Sequence, residues 1–182
     1  DITKMNARQD DIHGVIYAVI SPLKGFSFTA RAGYINERQD RNTALYTEEL
    51  IRNHVSGRLK VAPEHTDDAV LKLMRKPSFS QFRKFREIFN RINREYNLNQ
   101  QLIPYFISSH PGCREQDMSA LANKVLGRLH FDLEQVQDLT PTPMTLSSVM
   151  FYTGENPYTG EKVFVARSQD EKRRQKQYFF KK

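Results

Sequence analysis

The sequence has 182 residues, of which 38% are hydrophobic and 27% are charged. This length fits one domain with a sizeable core, and no apolar run approaches the roughly 20 residues that a membrane helix needs. A single cysteine, Cys113, excludes an internal disulfide and a metal site made of cysteines alone. With no signal-type apolar core in the first ten residues, we expect a cytoplasmic protein. The chain opens on Asp1 rather than Met, from which we expect a processed protein or a piece of a longer one.

The first 45 residues have a β-rich pattern. Residues 15–20 and 26–32 are typical of strands, and Ser-Pro-Leu-Lys-Gly at 21–25 supplies a turn between them. This hairpin pattern differs from the α/β pattern that follows. We therefore treat residues 1–45 as a separate segment, with a boundary between 36 and 46.

The next stretch alternates helix, strand and helix. A short helix is predicted over 46–54, with Thr47 as its N-cap. A strand follows over 58–62 and runs into Pro-Glu-His at 63–65. Thr66 is placed to cap the helix that comes next.

A long amphipathic helix is predicted after Pro77. Ser78 and Gln81 have the spacing of a capping box. Apolar side chains then recur at steps of three and four residues, which predicts a stripe facing a sheet rather than a cofactor site. The stripe consists of Phe82, Phe85, Phe89, Ile92 and Tyr96.

An apolar run of β-forming residues begins at Gln101 and closes in Ser-Ser-His-Pro-Gly at 108–112. Its length and its Pro-Gly ending favour a parallel strand covered on both faces. A helix with apolar residues from 118 to 129 and a strand over 133–139 follow. Strands and helices in this alternation predict an α/β fold with a parallel sheet.

Parallel strands deliver their carboxyl-end loops to one edge, where ligands bind in such folds. Seven polar residues occupy these loops and form the candidate site: Glu64, His65, Ser108, Ser109, His110, Thr140 and Thr142. Each histidine has an alternative interpretation as a hydrogen-bonded structural residue. A metal site of His54, His65, His110 and Glu64 is a further alternative, but the sequence has no His-x-His or His-Glu-x-x-His spacing to support it.

The C-terminal tail is basic. Residues 161–182 contain eight Lys or Arg and three Asp or Glu, a net charge of +5 out of +7 for the chain. Two interpretations stay open: a solvated helical tail, and a contact with RNA or with an acidic surface on a partner.

Several long motifs carry a resemblance to a known family. They are His-Val-Ser-Gly-Arg-Leu-Lys-Val-Ala-Pro-Glu-His at 54–65, Leu-Ile-Pro-Tyr-Phe-Ile-Ser-Ser-His-Pro-Gly at 102–112, Gln-Val-Gln-Asp-Leu-Thr-Pro-Thr-Pro-Met-Thr at 135–145 and Phe-Tyr-Thr-Gly-Glu-Asn-Pro at 151–157. Over residues 54–165 the chain resembles the later part of the YgiQ-type radical S-adenosylmethionine proteins.

The resemblance implies a partial, TIM-like (β/α) barrel, with residues 46–160 supplying its fourth, fifth and sixth strands and residues 161–182 forming a basic tail. Residues 28–33 lie at about the distance expected for the third strand. The implied cofactors are S-adenosylmethionine and a 4Fe-4S cluster. The loop residues that the resemblance places on the cofactor or substrate side are Glu64, His65, Ser108, His110, Thr140 and Pro141.

One motif of that family is missing. The cluster is held by Cys-x3-Cys-x2-Cys, which this sequence lacks, and one cysteine cannot replace three thiolates. We therefore expect a C-terminal fragment that is inactive alone and whose partner is the missing N-terminal half of the barrel. Two other hypotheses remain, a non-catalytic RNA- or nucleotide-binding module and a metal-dependent hydrolase using Glu64, His65 and His110.

A partial sheet also leaves strand edges unpaired. On that ground we expect poor stability or self-association.

Overall fold

The computed structural model describes the backbone of residues 15–23, 26–33, 41–131, 133 and 135–179, and side chains from residue 45 onward. No helix in this described part of the chain is long and apolar enough to cross a membrane.

Five strands form one mixed sheet in the order β2-β1-β3-β4-β5. The strands are β1 (Val15–Leu23), β2 (Phe26–Gly33), β3 (Arg58–Glu64), β4 (Gln101–Ser108) and β5 (Val136–Asp138). β3, β4 and β5 run parallel, whereas β1 is antiparallel to both β2 and β3. The predicted α/β class with parallel strands and an N-terminal hairpin is therefore confirmed.

Six α-helices connect or flank these strands. They are α1 (Arg41–His54), α2 (Asp68–Leu73), α3 (Phe79–Glu95), α4 (Glu115–Ala122), α5 (Leu146–Thr153) and α6 (Gln169–Lys176). A π-helical turn, Asn123–Arg128, continues α4.

Two predicted caps are wrong. α1 begins at Arg41, so Thr47 lies inside the helix, where it is buried. α2 is capped by Asp67, whose carboxylate accepts hydrogen bonds from the N–H groups of Ala69 and Val70, and not by Thr66. An ionised carboxylate at a helix N-terminus also interacts favourably with the helix dipole, which a hydroxyl does not. Ser78 caps α3 as predicted.

The core lies on one face of the sheet. Leu59 pairs with Leu102 and Phe106 with Val136, so these side chains project from the same face of neighbouring strands. They join one hydrophobic cluster with buried residues of α1 to α4. The predicted stripe on α3 is confirmed, since Phe82, Phe85, Phe89 and Ile92 are all buried in this cluster.

The other face of the sheet is more open. On β4, Tyr105 and Ile107 are half-buried, and Gln137 on β5 is exposed. The prediction that β4 is covered by helices on both faces is therefore wrong. An apolar run reports that a strand is buried, but it does not reveal what covers its second face.

The N-terminal hairpin occupies the sheet edge next to β3. β1 pairs with β3 in antiparallel orientation, and β2 lies beyond β1. Residues 28–33, which fall within β2, are therefore not a parallel strand beside β3. Within the described residues the outer strands are β2 and β5, and the expected self-association through them stays a prediction.

We expect Phe89→Ala to lower the free energy of unfolding by about 3–5 kcal/mol, because the substitution leaves a cavity at the centre of the α3 stripe. The Phe89 side chain is 2% exposed, whereas Leu45 on α1 is 58% exposed and serves as the matched control. Urea unfolding of both variants measures the difference. Equal losses for Phe89→Ala and Leu45→Ala would contradict this placement of the core.

Candidate functional site

The carboxyl ends of the three parallel strands meet at one edge of the sheet. Ser108 at the end of β4 lies opposite Asp138 at the end of β5, and Glu64 at the end of β3 pairs with Phe106. Glu64 and Ser109 both have left-handed backbone conformations, with φ values of 66° and 60°. Such conformations are costly for residues other than glycine and tend to occur at functional sites.

Asp138 is the polar centre of this edge. Its carboxylate accepts hydrogen bonds from the hydroxyls of Ser108 (2.8 Å) and Ser109 (3.2 Å), and it pairs with the Lys176 ammonium at 2.6 Å. Partial burial disfavours the charged form, but the bonds from Lys176 and the two serines outweigh it and lower the pKa of Asp138. Asp138 is therefore a carboxylate that ties β4, β5 and α6 together.

His65 is fully buried and has partners on both ring nitrogens. Its Nδ1 accepts the Asp67 N–H at 2.9 Å, so its hydrogen lies on Nε2, which faces the Cys113 Sγ at 3.5 Å. Burial lowers the pKa of His65 to about 4, with Asp67 partly opposing the shift. The ring is consequently neutral at pH 7.

His110 is also buried and neutral. Its Nδ1 lies 2.7 Å from the Pro111 carbonyl oxygen and must donate, so its Nε2 accepts the Ser147 hydroxyl at 2.8 Å. Burial lowers the pKa of His110 to about 4. Both histidines thus have the geometry of hydrogen-bonded structural residues, and their contact with a ligand stays a prediction.

The remaining predicted site residues differ in exposure. Glu64 is largely buried and forms an ion pair with Lys76 at 3.2 Å. Thr140 is exposed and Pro141 half-buried. The Thr142 carbonyl accepts hydrogen bonds from side chains at the start of α5, so this loop is fixed at its far end.

The alternative metal site is not assembled. His54 lies at the end of α1, 3.5 Å from Glu49, whereas His65 and His110 lie at the opposite ends of strands. Among the residues that the structure describes, no group of three or more His, Cys, Asp or Glu side chains is placed to hold a metal ion. Burial raises the pKa of the Cys113 thiol to about 12, which disfavours the thiolate that a metal would need.

Four polar residues near this edge were missed from the sequence. Asp138 and Gln137 were assigned to a strand interior, and Tyr105 to an apolar run. Tyr105 donates a hydrogen bond to Gln137 on the open face, and burial together with the nearby Glu64 raises the pKa of its phenol. Alternation along β4 was the available signal for Tyr105. Gln175, in the tail, had no sequence signal.

The basic tail is docked onto the fold. Besides the Lys176 contact with Asp138, Arg174 pairs with Glu115 at 3.3 Å and Gln175 is 1% exposed. The interpretation of this segment as a solvated helical tail is therefore wrong for α6, whose inner side contacts the loop after β4.

Comparisons with known proteins agree with these features. The chain is 66% identical over 141 residues to a UPF0313 protein of Bacteroides thetaiotaomicron, covering 78% of this chain and 23% of that protein. It is 61% identical over 135 residues to a UPF0313 protein of Porphyromonas gingivalis (74% and 21%), and 49% identical over 128 residues to one of Methanocella arvoryzae (70% and 21%). The chain belongs to the UPF0313, or YgiQ-type, family.

The family resemblance seen in the motifs is thus confirmed. Residues 134–181 also match a family described as "Domain of unknown function (DUF3362)". The chain spans about a fifth of the length of the curated UPF0313 relatives it matches. No solved structure gives a significant match.

We expect acid to destabilise the protein through its two buried histidines. Their folded-state pKa of about 4 lies below the value near 6.5 of an unfolded chain. The unfolded state therefore binds more protons between these limits, and stability that is complete above about pH 6.5 is lost as the pH falls toward 4. Each histidine accounts for about 1–2 kcal/mol between pH 7 and pH 5.

Urea unfolding at these two pH values tests this expectation. His110→Gln should reduce the pH dependence, whereas His54→Gln, at an exposed position, should not. Asp138 does not mask the effect, because its lowered pKa affects stability only below about pH 4. An unchanged pH dependence in His110→Gln would refute the assignment.

Proposed function

We propose that this chain forms the later strands of a partial (β/α) barrel in a UPF0313 protein that performs radical S-adenosylmethionine chemistry. In this role the chain supplies loops at the strand ends that contact cofactor or substrate. The observation that carries the proposal is the one-sided placement of the helices on the parallel sheet. Family membership and the implied radical chemistry agree with it.

The two faces of the sheet favour a barrel over a doubly wound sheet. A doubly wound sheet has helices on both faces, whereas a barrel has helices outside and strand side chains facing its interior. Here the helical core contacts Leu59, Leu102 and Phe106. The opposite face carries Tyr105 and Gln137, which are partly or fully accessible, as expected of residues lining a barrel interior.

The residues of this chain do not fit the iron-sulfur cluster. Three thiolates and an open iron site are needed to bind a 4Fe-4S cluster and S-adenosylmethionine together. Cys113 is the sole cysteine, and its buried thiol has a pKa of about 12. The cluster ligands would therefore lie in the part of a UPF0313 protein that this sequence does not cover, and that part is the partner we propose.

The strand-end residues would divide into two groups around S-adenosylmethionine or a substrate. Glu64, Thr140 and Pro141 have side chains that are partly or fully accessible, and they are the candidates for direct contact. His65, Ser108 and His110 are buried and hydrogen-bonded within the protein, so they would shape the loops behind the contact residues.

The RNA-binding alternative has less support from the charges of the tail. α6 contains four cations, and three of them form ion pairs, Lys176 with Asp138, Arg174 with Glu115 and Arg173 with Asp170. Cations already paired with carboxylates contribute less to phosphate binding, because the pair must be broken first.

The proposal predicts where iron binds. The DNA upstream of the codon for Asp1 should encode, in frame, a Cys-x3-Cys-x2-Cys motif. The longer polypeptide, purified without oxygen, should contain about four iron and four sulfide ions and release 5′-deoxyadenosine from S-adenosylmethionine under reducing conditions. The 182-residue chain alone should bind no cluster.

Substitution of the three upstream cysteines by alanine is the control, and it should abolish the iron content. A longer polypeptide that lacks iron after anaerobic reconstitution, or an upstream sequence without the motif, would overturn the proposal. Salt-sensitive RNA binding that is lost in Arg173→Glu, at a position 80% exposed, would support the binding-module alternative instead.

A further inference from the structure

We infer that the segment 134–181, which matches a domain of unknown function, holds the loop after β4 in shape and that Gln175 is its central positioning residue. This segment is called the clamp below, and residues 108–115 are called the β4 loop. The inference goes beyond the proposed function and does not rest on radical chemistry, because it concerns contacts within this chain.

Gln175 closes the β4 loop from both ends. Its Oε1 accepts the Ser109 N–H at 2.8 Å, and its Nε2 donates to the Cys113 carbonyl at 2.9 Å. A primary amide carries an acceptor and a donor on one rigid group, so a single side chain satisfies two backbone groups of opposite kind. All three residues are almost completely buried, where unpaired backbone groups are expensive.

A second contact fixes the middle of the loop. The Gly112 N–H donates to the Phe164 carbonyl at 2.7 Å. Gly112 has a φ of +89°, and a Cβ at this position would lie 2.2 Å from Leu73 and 3.7 Å from Val163. The absence of a side chain therefore lets the clamp and α2 approach the loop backbone closely.

Charged and polar side chains complete the contact. Asp138, in the clamp, accepts from Ser108 and Ser109 and is itself held by Lys176. Ser147 donates to His110. The clamp thereby reaches each of the three residues of the Ser-Ser-His sequence at the end of β4.

The far end of the β4 loop is anchored in the same way. Glu115, the first residue of α4, accepts hydrogen bonds from Gln177 (3.1 Å) and Tyr178 (2.8 Å), and pairs with Arg174. The Arg114 guanidinium lies 5.3 Å from the ring centre of Phe164. Seven residues of the β4 loop contact the clamp: Ser108, Ser109, His110, Gly112, Cys113, Arg114 and Glu115.

These contacts offset the strain in the β4 loop. The left-handed conformation of Ser109 is unfavourable on its own, and the loop backbone is buried without a neighbouring strand to bond it. The clamp supplies the missing partners. The shape of the middle strand-end loop, and with it any site at this edge, therefore depends on residues far along the chain.

Amide hydrogen exchange of the 182-residue chain tests the inference. Gln175→Met keeps the length and burial of the side chain but removes both hydrogen bonds. Protection of the Ser109 amide should fall about tenfold relative to the amide of Phe89 in α3, which reports global unfolding. Gln177→Ala, on an exposed residue just after α6, is the matched control and should leave the Ser109 amide protected.

Two results would overturn the inference. One is equal loss of protection at Ser109 and Phe89 in Gln175→Met, since that would be a change in global stability alone. The other is the same effect from Gln177→Ala. Ser168→Ala removes the exposed N-cap of α6 and serves if Gln175→Met does not fold. It should lower Ser109 protection severalfold, and unchanged protection in this variant would equally overturn the inference.

Discussion

The parallel pairing of β3, β4 and β5 is the constraint on which the rest of the structure depends. It aligns Leu59 with Leu102 and Phe106 with Val136 on one face, and so gives the helices one continuous surface to cover. The same pairing brings the carboxyl ends of the strands to one edge. Core and candidate site are thus two consequences of a single arrangement of the backbone.

Polar groups at that edge are buried but satisfied. Among the described residues, no buried side-chain nitrogen or oxygen lacks a hydrogen-bond partner. His65, Cys113 and Gln175 meet in a network in which each atom has one workable role. Such networks favour one arrangement of the surrounding loops, because any other arrangement leaves a polar group unpaired in a region of low dielectric constant.

Periodic and local features could be predicted from the sequence. The stripe from Phe82 to Ile92, the strand starting at Gln101 and the cap at Ser78 depend on neighbouring residues, and the structure has all three. The role of Gln175 depends on residues more than 60 positions away, which periodicity does not report. The cap at Asp67 was missed because Thr66 beside it is an equally good capping residue type, and geometry alone decides between them.

The N-terminal hairpin has a consequence for how β3 can be extended. A strand edge offers one row of N–H and C=O groups, and on β3 the residues Leu59 to Val61 already pair with β1 in antiparallel orientation. A barrel built from parallel strands would need that same row for its preceding strand. The two neighbours are mutually exclusive, so the hairpin acts as a competitor for assembly of a longer sheet, and any barrel containing this chain must first displace it.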